Sequence, residues 1–266
     1  MGDTGQVTSS AAEFYEEFFV PALFGEWVPR VLAAADLSPG MRVADVACGT
    51  GLATLAAAEA VSPGGSAVGV DLNPGMLAVA RRKAGDIEWH EAPAEALPFK
   101  EESFDAVVSQ FGLMFFADKK AAISEMWRVL RPGGRLVVAV WGSLHDAPGY
   151  AAMTALLSSL FGDAISDLLK SPYSLGETDT LRGVFCEAGV DDLEIQRVAG
   201  QARFASVRAW VECDVRGWTL ADKLDDDQFE LLVAEAEKEL HRFVAADGSV
   251  AFAHPALIAS AVKLAK

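Results

Sequence analysis

The sequence predicts an α/β fold in which a mostly parallel sheet carries helices on both faces. From residue 42 onward, apolar strand-like runs alternate with helical ones, the order that builds right-handed βαβ units. The first of these runs leads into the glycine-bearing turn Asp45-Val-Ala-Cys-Gly-Thr-Gly51. The second ends in a carboxylate, Gly69-Val-Asp71, about 20 residues beyond that turn, which is the spacing of a nucleotide site at successive strand ends.

Each element has its own signal. Residues 13–27 form an aromatic, acidic leading segment in which Phe14, Tyr15 and Phe18 share a helical face. An interfacial membrane helix carries Lys or Arg opposite such a face, whereas this one carries Glu13, Glu16 and Glu17, so it is expected to pack on the protein itself. The alternation then predicts strands at 42–47, 66–72, 87–92, 104–111 and 135–141, separated by helices at 52–60, 74–84 and 119–130. Asn73 is an N-cap with Pro74 in the first helical position, and Arg131-Pro-Gly-Gly134 reads as a turn. Beyond residue 141 the period changes: helices are expected at 150–161 and at 180–188, the latter stopped by Gly189, and a strand at 193–204. Asp225 to Gln228 is a capping box, opening a helix that buries Phe229, Leu232, Val233, Ala236 and Leu240, and a last strand is expected at 249–253. This divides the chain into a helical cap (1–39), a core (40–142), an insertion (143–179) and a C-terminal part of the core (180–266) with a helical insertion at about 206–246.

Gly49 and Gly51 let the backbone turn and approach a ligand without Cβ interference, and the helix that follows presents its N–H groups to that ligand. Asp71 is placed to accept both hydroxyls of a ribose. A third glycine is absent, with Thr54 in its stead, which disfavours a dinucleotide pyrophosphate turn.

Four motifs carry a resemblance: Asp45 to Gly51, Gly69-Val-Asp-Leu-Asn-Pro74, Glu91-Ala-Pro-Ala-Glu-Ala-Leu-Pro-Phe99 and Arg128-Val-Leu-Arg-Pro-Gly-Gly-Arg-Leu-Val-Val138. In this order and spacing they resemble the class I, Rossmann-like S-adenosylmethionine (SAM) dependent methyltransferases, in the small-molecule branch with the ubiquinone and menaquinone biosynthesis enzymes (the type 11 methyltransferase domain). The resemblance is strongest over 40–141. It implies a seven-stranded sheet, SAM as cofactor, and insertions that form a lid over the acceptor. The cofactor-binding residues it implies are Tyr15, Asp45, Ala47, Gly49, Thr50, Gly51, Asp71, Leu72, Met76, Ala94, Glu95, Gln110 and Phe111. Among them Asp45 orients the turn or meets the cofactor's ammonium, Leu72 and Met76 sandwich the adenine, and Gln110 and Phe111 lie beside the methyl donor. The family commonly has Asp where this chain has Pro93, so Glu95 either substitutes for the missing carboxylate or is solvated. Phe115 and Phe116 are assigned to the core. His145, after the fifth strand, is the candidate acceptor-side base, the alternative being a lone surface histidine; His90, His241 and His254 rank below it.

Composition bounds the rest. A net charge of −16 repels phosphate backbones, so no nucleic-acid partner is expected. No apolar run approaches the ~20 residues of a bilayer span and no export signal opens the chain, so a soluble, cytoplasmic protein without membrane insertion is expected, as monomer or homodimer. Cys48, Cys186 and Cys213 have neither paired spacing nor a nearby histidine, and no carboxylate cluster suggests magnesium, so no disulfide and no metal are expected. The reading is a SAM-dependent methyltransferase for a small, largely apolar acceptor such as a phenol, quinol or polyketide. The rivals are an NAD-dependent oxidoreductase and a non-catalytic SAM-binding protein.

Overall fold

The computed structural model describes residues 9–216, 220 and 223–264. Its core is a sheet in the order β3-β2-β1-β4-β5-β9-β6. Strands β1 (Arg42–Val46), β2 (Ser66–Asp71), β3 (Glu88–Glu91), β4 (Phe104–Gln110) and β5 (Leu130–Trp141) run parallel, and β9 (Ala256–Val262) is antiparallel to both β5 and β6 (Glu194–Val198). Val43, Ala44 and Val46 of β1 and Ala106, Val107 and Val108 of β4 are buried, as strands covered on both faces require. Helices α3 (Leu52–Ala60), α4 (Pro74–Lys83) and α5 (Lys119–Val129) make the crossovers. Strand order reverses between β1 and β4, which opens a crevice at their carboxyl ends, where ligands bind in such sheets. The α4 cap is as expected: Asn73 Oδ1 accepts the N–H groups of Gly75 and Met76.

The chain before β1 is a run of helix: α1 (Ser9–Phe14), a π-helical stretch (Tyr15–Phe24) containing Pro21, a 3₁₀ turn (Gly25–Trp27) and α2 (Val28–Ala35). Ala12–Ala35 is long and apolar enough to cross a membrane by length and composition, contrary to the expectation that no run approaches that length. Here its apolar side is spent inside the protein: Phe19, Leu23, Trp27 and Val31 are buried, and Trp27 meets Phe111 and Trp141 edge-on. Glu13 and Glu16 pair with Arg82 and Lys83 of α4.

Three expectations are corrected. The strand predicted at 193–204 breaks after Val198, at Ala199-Gly200, where a Cβ on Gly200 would lie 2.1 Å from the Trp27 ring and only glycine fits. Its second half, β7 (Gln201–Phe204), leaves the main sheet and pairs with β8 (Val250–Ala253), the strand expected to be last. The seventh strand is instead β9, whose apolar run carries no alternation to separate it from a helix. The turn 131–134 is absorbed into β5 beside a register shift between Phe104 and Ala106, with Gly133 at φ +81°.

Helices α6 (Pro148–Phe161) and α7 (Asp163–Lys170) occupy the first insertion; Tyr150, Met153 and Leu157 of α6 are fully buried. Helix α8 (Thr178–Glu187) precedes β6, and α9 (Val207–Arg216) and α10 (Asp226–Glu239) fill the second insertion. Asp225 and Gln228 form the expected capping box, and Phe229, Leu232, Val233, Ala236 and Leu240 are buried as read from the sequence. Gly217, Trp218, Thr219, Ala221 and Asp222, inside the second insertion, lie outside the described residues.

Candidate functional site

The crevice at the strand switch contains two adjoining cavities, of about 360 Å³ and about 40 Å³. The backbone after β1 builds their floor. Ala47, Gly49 and Gly51 all adopt positive φ (59°, 55° and 84°). That turn is laced to the end of β2 by one side chain: Asp71 accepts the N–H of Gly49 on Oδ2 and that of Asn73 on Oδ1, both at 2.8 Å. Burial raises the Asp71 carboxyl above the usual carboxylate range, against the lowering effect of these N–H groups.

Asp45, 1% exposed, accepts the Thr54 hydroxyl at 2.6 Å. Thr54 is thus more than a missing glycine: it supplies the partner of a buried carboxylate. Burial lifts Asp45 to about 7 despite that bond, with Asp71 adding to the rise. The smaller cavity is bordered by Asp45, Thr50 and Gln110, and there Thr50 Oγ1 and Gln110 Oε1 are buried without a hydrogen-bond partner. The Gln110 amide Nε2 donates to the Phe24 carbonyl at 3.4 Å. Tyr15, Phe24, Ala47, Gly49 and Gln110 border both cavities and so form their junction. Burial, then the charges of Asp71 and Glu16, push the Tyr15 phenol up.

The larger cavity brings together Asp71, Leu72, Met76, Ala94, Glu95, Gln110 and Phe111 as the sequence predicted. Glu95 is anchored, its Oε1 accepting the Asp118 N–H at 3.2 Å at the start of α5. Phe115 and Phe116, expected in the core, line this cavity instead, because the chain leaves β4 in a 3₁₀ turn (Leu113–Phe115) that turns inward Leu113 and Met114. Phe24 was missed; the available signal was the density of aromatics in the leading segment. Asn73, Ala92, Pro93, Gly112, Ala117 and Asp118 complete the lining.

Two assigned residues stand elsewhere. Gly51 borders neither cavity; its φ of 84° and a Trp89 ring that would lie 2.5 Å from a Cβ there both require glycine. His145 lies on an exposed 3₁₀ turn (Leu144–Asp146), with 93% of its side chain exposed and Asp146 at 3.5 Å as its contact, and it borders neither cavity. Among the described residues no lining residue comes from 143–179 or 206–246; the N-terminal helical run supplies Tyr15, Val20 and Phe24 to the two linings. Among the described residues the two linings contain no Lys, Arg or His, and no cluster of His, Cys, Asp and Glu could hold a metal ion. Cys48 and Cys213 are buried, Cys186 is exposed, and all three are free thiols.

Residues 44–138 match a family model described as a methyltransferase domain. The chain is 33% identical over 184 residues to the ubiquinone/menaquinone biosynthesis C-methyltransferase UbiE of Shewanella sediminis, spanning 63% of this chain and 73% of that protein. It is 32% identical over 188 residues to the demethylmenaquinone methyltransferase of Staphylococcus epidermidis, spanning 65% and 78% respectively. Among solved structures, the phosphoethanolamine N-methyltransferase 2 of Haemonchus contortus, in complex with phosphomonomethylethanolamine and S-adenosylhomocysteine, superposes with a TM-score of 0.62 at 22% identity, covering 97% of this chain and 58% of that one.

Proposed function

Because the chain belongs to the class I SAM-dependent methyltransferase family that includes the ubiquinone/menaquinone C-methyltransferases, we propose that its crevice binds SAM across both cavities and presents it to an uncharged, hydroxylated aromatic acceptor of quinol type. The residues fit the cofactor. A zwitterionic methionine tail needs acceptors for its ammonium and donors for its carboxylate; the smaller cavity offers Asp45 and the unpartnered Gln110 Oε1 for the first, and the unpartnered Thr50 hydroxyl for the second. Asp71 would take the ribose hydroxyls, and Leu72, Met76 and Ala94 would flank the adenine. SAM, when bound, supplies an electrophilic methyl group on a sulfonium that is its own leaving group.

What remains for the protein is to orient the acceptor and exclude water. Phe24, Phe111, Phe115 and Phe116 do both: flat, apolar walls hold a ring by stacking and shed solvent. The observation that carries the acceptor class is this aromatic lining, which among the described residues contains no cation. A phosphate or carboxylate on the acceptor would enter with no Arg or Lys to meet it, at a desolvation cost of several kcal/mol. Among the described residues the lining also holds no histidine, and the Tyr15 phenol, pushed up by burial, stays protonated and cannot accept a proton, so the reading favours an acceptor already nucleophilic, such as the electron-rich ring carbon of a quinol. The names of the UbiE-type relatives support transfer to carbon.

The test is turnover: purified protein, SAM and either 1,4-naphthohydroquinone, simple phenols or phosphoethanolamine, with methylated product identified by mass spectrometry. Methylation of the hydroquinone ring is the expected outcome. Turnover on phosphoethanolamine alone would overturn the acceptor class.

A further inference from the structure

Two carboxylates grip the glycine turn from opposite ends. Asp71 takes the Gly49 N–H from the end of β2, and Asp45, near the end of β1, takes Thr54 in the first turn of α3. The Thr54 hydroxyl donates to Asp45 Oδ2 at 2.6 Å, and the Thr54 backbone N–H joins it in lowering the proton affinity of Asp45. Thr54 is fully buried and borders neither cavity, whereas Asp45, 1% exposed, borders the smaller one. Any effect of Thr54 on a ligand there must therefore pass through Asp45.

A helical threonine can return its hydroxyl to a carbonyl one turn back in its own helix; this one is spent on a carboxylate in the neighbouring strand. A bond that served only to staple α3 to β1 would need no charge, and a buried carboxylate is costly until a counter-charge meets it. Among the described residues no Lys, Arg or His borders either cavity. The smaller cavity also keeps Thr50 Oγ1 and Gln110 Oε1 buried without a hydrogen-bond partner. The missing charge and the missing partners all face one space, and a zwitterionic amino-acid end supplies both. Three titratable groups face Asp45. Asp71 adds to its rise; the Cys48 thiol, which also meets the Thr54 hydroxyl, and the Tyr15 phenol of the leading helix are both held protonated by burial. None of the three is a cation, so before a ligand arrives Thr54 is what opposes protonation of Asp45.

We propose that Thr54 is a positioning residue for the methyl donor: by gripping Asp45 Oδ2 it sets the carboxylate so that Oδ1 meets the ammonium of the donor's amino-acid end in the smaller cavity. The proposal rests on the reading above that places this ammonium beside Asp45. It gives Thr54, at the position where a dinucleotide turn carries glycine, work that a glycine has no side chain to do. The sign of its pH dependence follows. Asp45 must be ionised to pair with the ammonium, so affinity falls as pH drops below the Asp45 value of about 7, and removing a hydroxyl that lowers this value moves the fall to higher pH.

The experiment titrates S-adenosylhomocysteine calorimetrically into the full-length protein from roughly pH 6 to 8.5, in parallel with 5′-methylthioadenosine, which keeps the adenosine and the sulfur and lacks the amino-acid end. Thr54→Val keeps the shape and removes the hydroxyl; Thr54→Ala carries the test should the valine variant fail to fold, and Thr54→Ser restores the hydroxyl. The expected result is S-adenosylhomocysteine bound about tenfold more weakly near pH 7 by the valine or alanine variant, with the fall in affinity starting about one pH unit higher, methylthioadenosine affinity unchanged and the serine variant close to wild type. Equal weakening of both ligands would show that Thr54 only keeps the turn in place. Unchanged S-adenosylhomocysteine affinity in the Thr54 variants, alongside weakened binding by Asp45→Asn, would show that Asp45 needs no positioning; either result overturns the proposal and leaves the ammonium reading standing. Wild-type S-adenosylhomocysteine affinity in Asp45→Asn places the ammonium elsewhere and overturns that reading together with the proposal.

Discussion

Asp45, with a single hydroxyl partner and 1% exposure, holds its proton up to a pH of about 7. Its folded-state value lies above its unfolded one, so between roughly pH 4 and 7 the native state binds the extra proton; its stabilising contribution is present below that window and is lost as pH rises through it. An ammonium placed beside it reverses the preference. SAM binding at pH 6 should therefore release up to about one proton, read as a dependence of the binding heat on buffer ionisation enthalpy. Asp45→Asn should abolish that release; an equal release in the variant would show that the ammonium sits elsewhere. At this scale the sequence was most legible where one residue's chemistry is local: the positive-φ glycine turn, Asp71 at its strand end, Asn73 as a cap. At Gly51 the sequence shows the turn and not the neighbour. A glycine needed for a ligand and one needed for a neighbouring ring look the same in sequence, and the neighbour, Trp89, lies 38 residues on in another strand.

The helical run before β1 is the element that closes the site, and its design explains how. Glu13 and Glu16 tether it to α4 through exposed or half-exposed ion pairs, each worth well under about 1 kcal/mol, while Phe19, Trp27 and Val31 anchor it in the core. Between these lie Tyr15 and Phe24, on a π-helical stretch, a form found frequently at functional sites. A ligand bridging this segment to the glycine turn would hold the two together and raise the cost of local opening. SAM should slow amide hydrogen exchange across 15–27, 47–51 and 71–76 and leave 143–175 unchanged, since no residue of that insertion borders either cavity. Matching protection of 143–175 would show that the insertion closes over the cofactor after all. Elements were legible where period and caps agree, as in α4 and α10, and illegible where tertiary packing decides: Gly200 lies against Trp27, 173 positions away in sequence, and β9 is an unpatterned apolar run whose strand character comes from pairing with β5 and β6.

For the molecule as a whole, the leading helix, the sheet and both insertions share one continuous hydrophobic cluster, from Phe19 through Val107 and Tyr150 to Trp210 and Ala259. The insertions are therefore not appended lids but part of the core, which is also why Tyr150, Tyr173, Asp214 and His254 meet although they are scattered over 105 positions of sequence; nothing local announces their convergence. A single core implies a single unfolding unit. Tryptophan fluorescence, to which six residues contribute, among them Trp27 and Trp141 against the sheet and Trp210 in the second insertion, should melt together with far-UV circular dichroism, which reports the helices and sheet throughout. Because SAM would bind only the assembled crevice, a hundredfold excess over its dissociation constant adds about 2.7 kcal/mol and should move both transitions upward together by roughly 5–10 °C for a chain of this size. Separation of the two curves, with SAM shifting only one of them, would show that part of the chain unfolds apart from the cofactor core and that the shared hydrophobic cluster is not one cooperative unit.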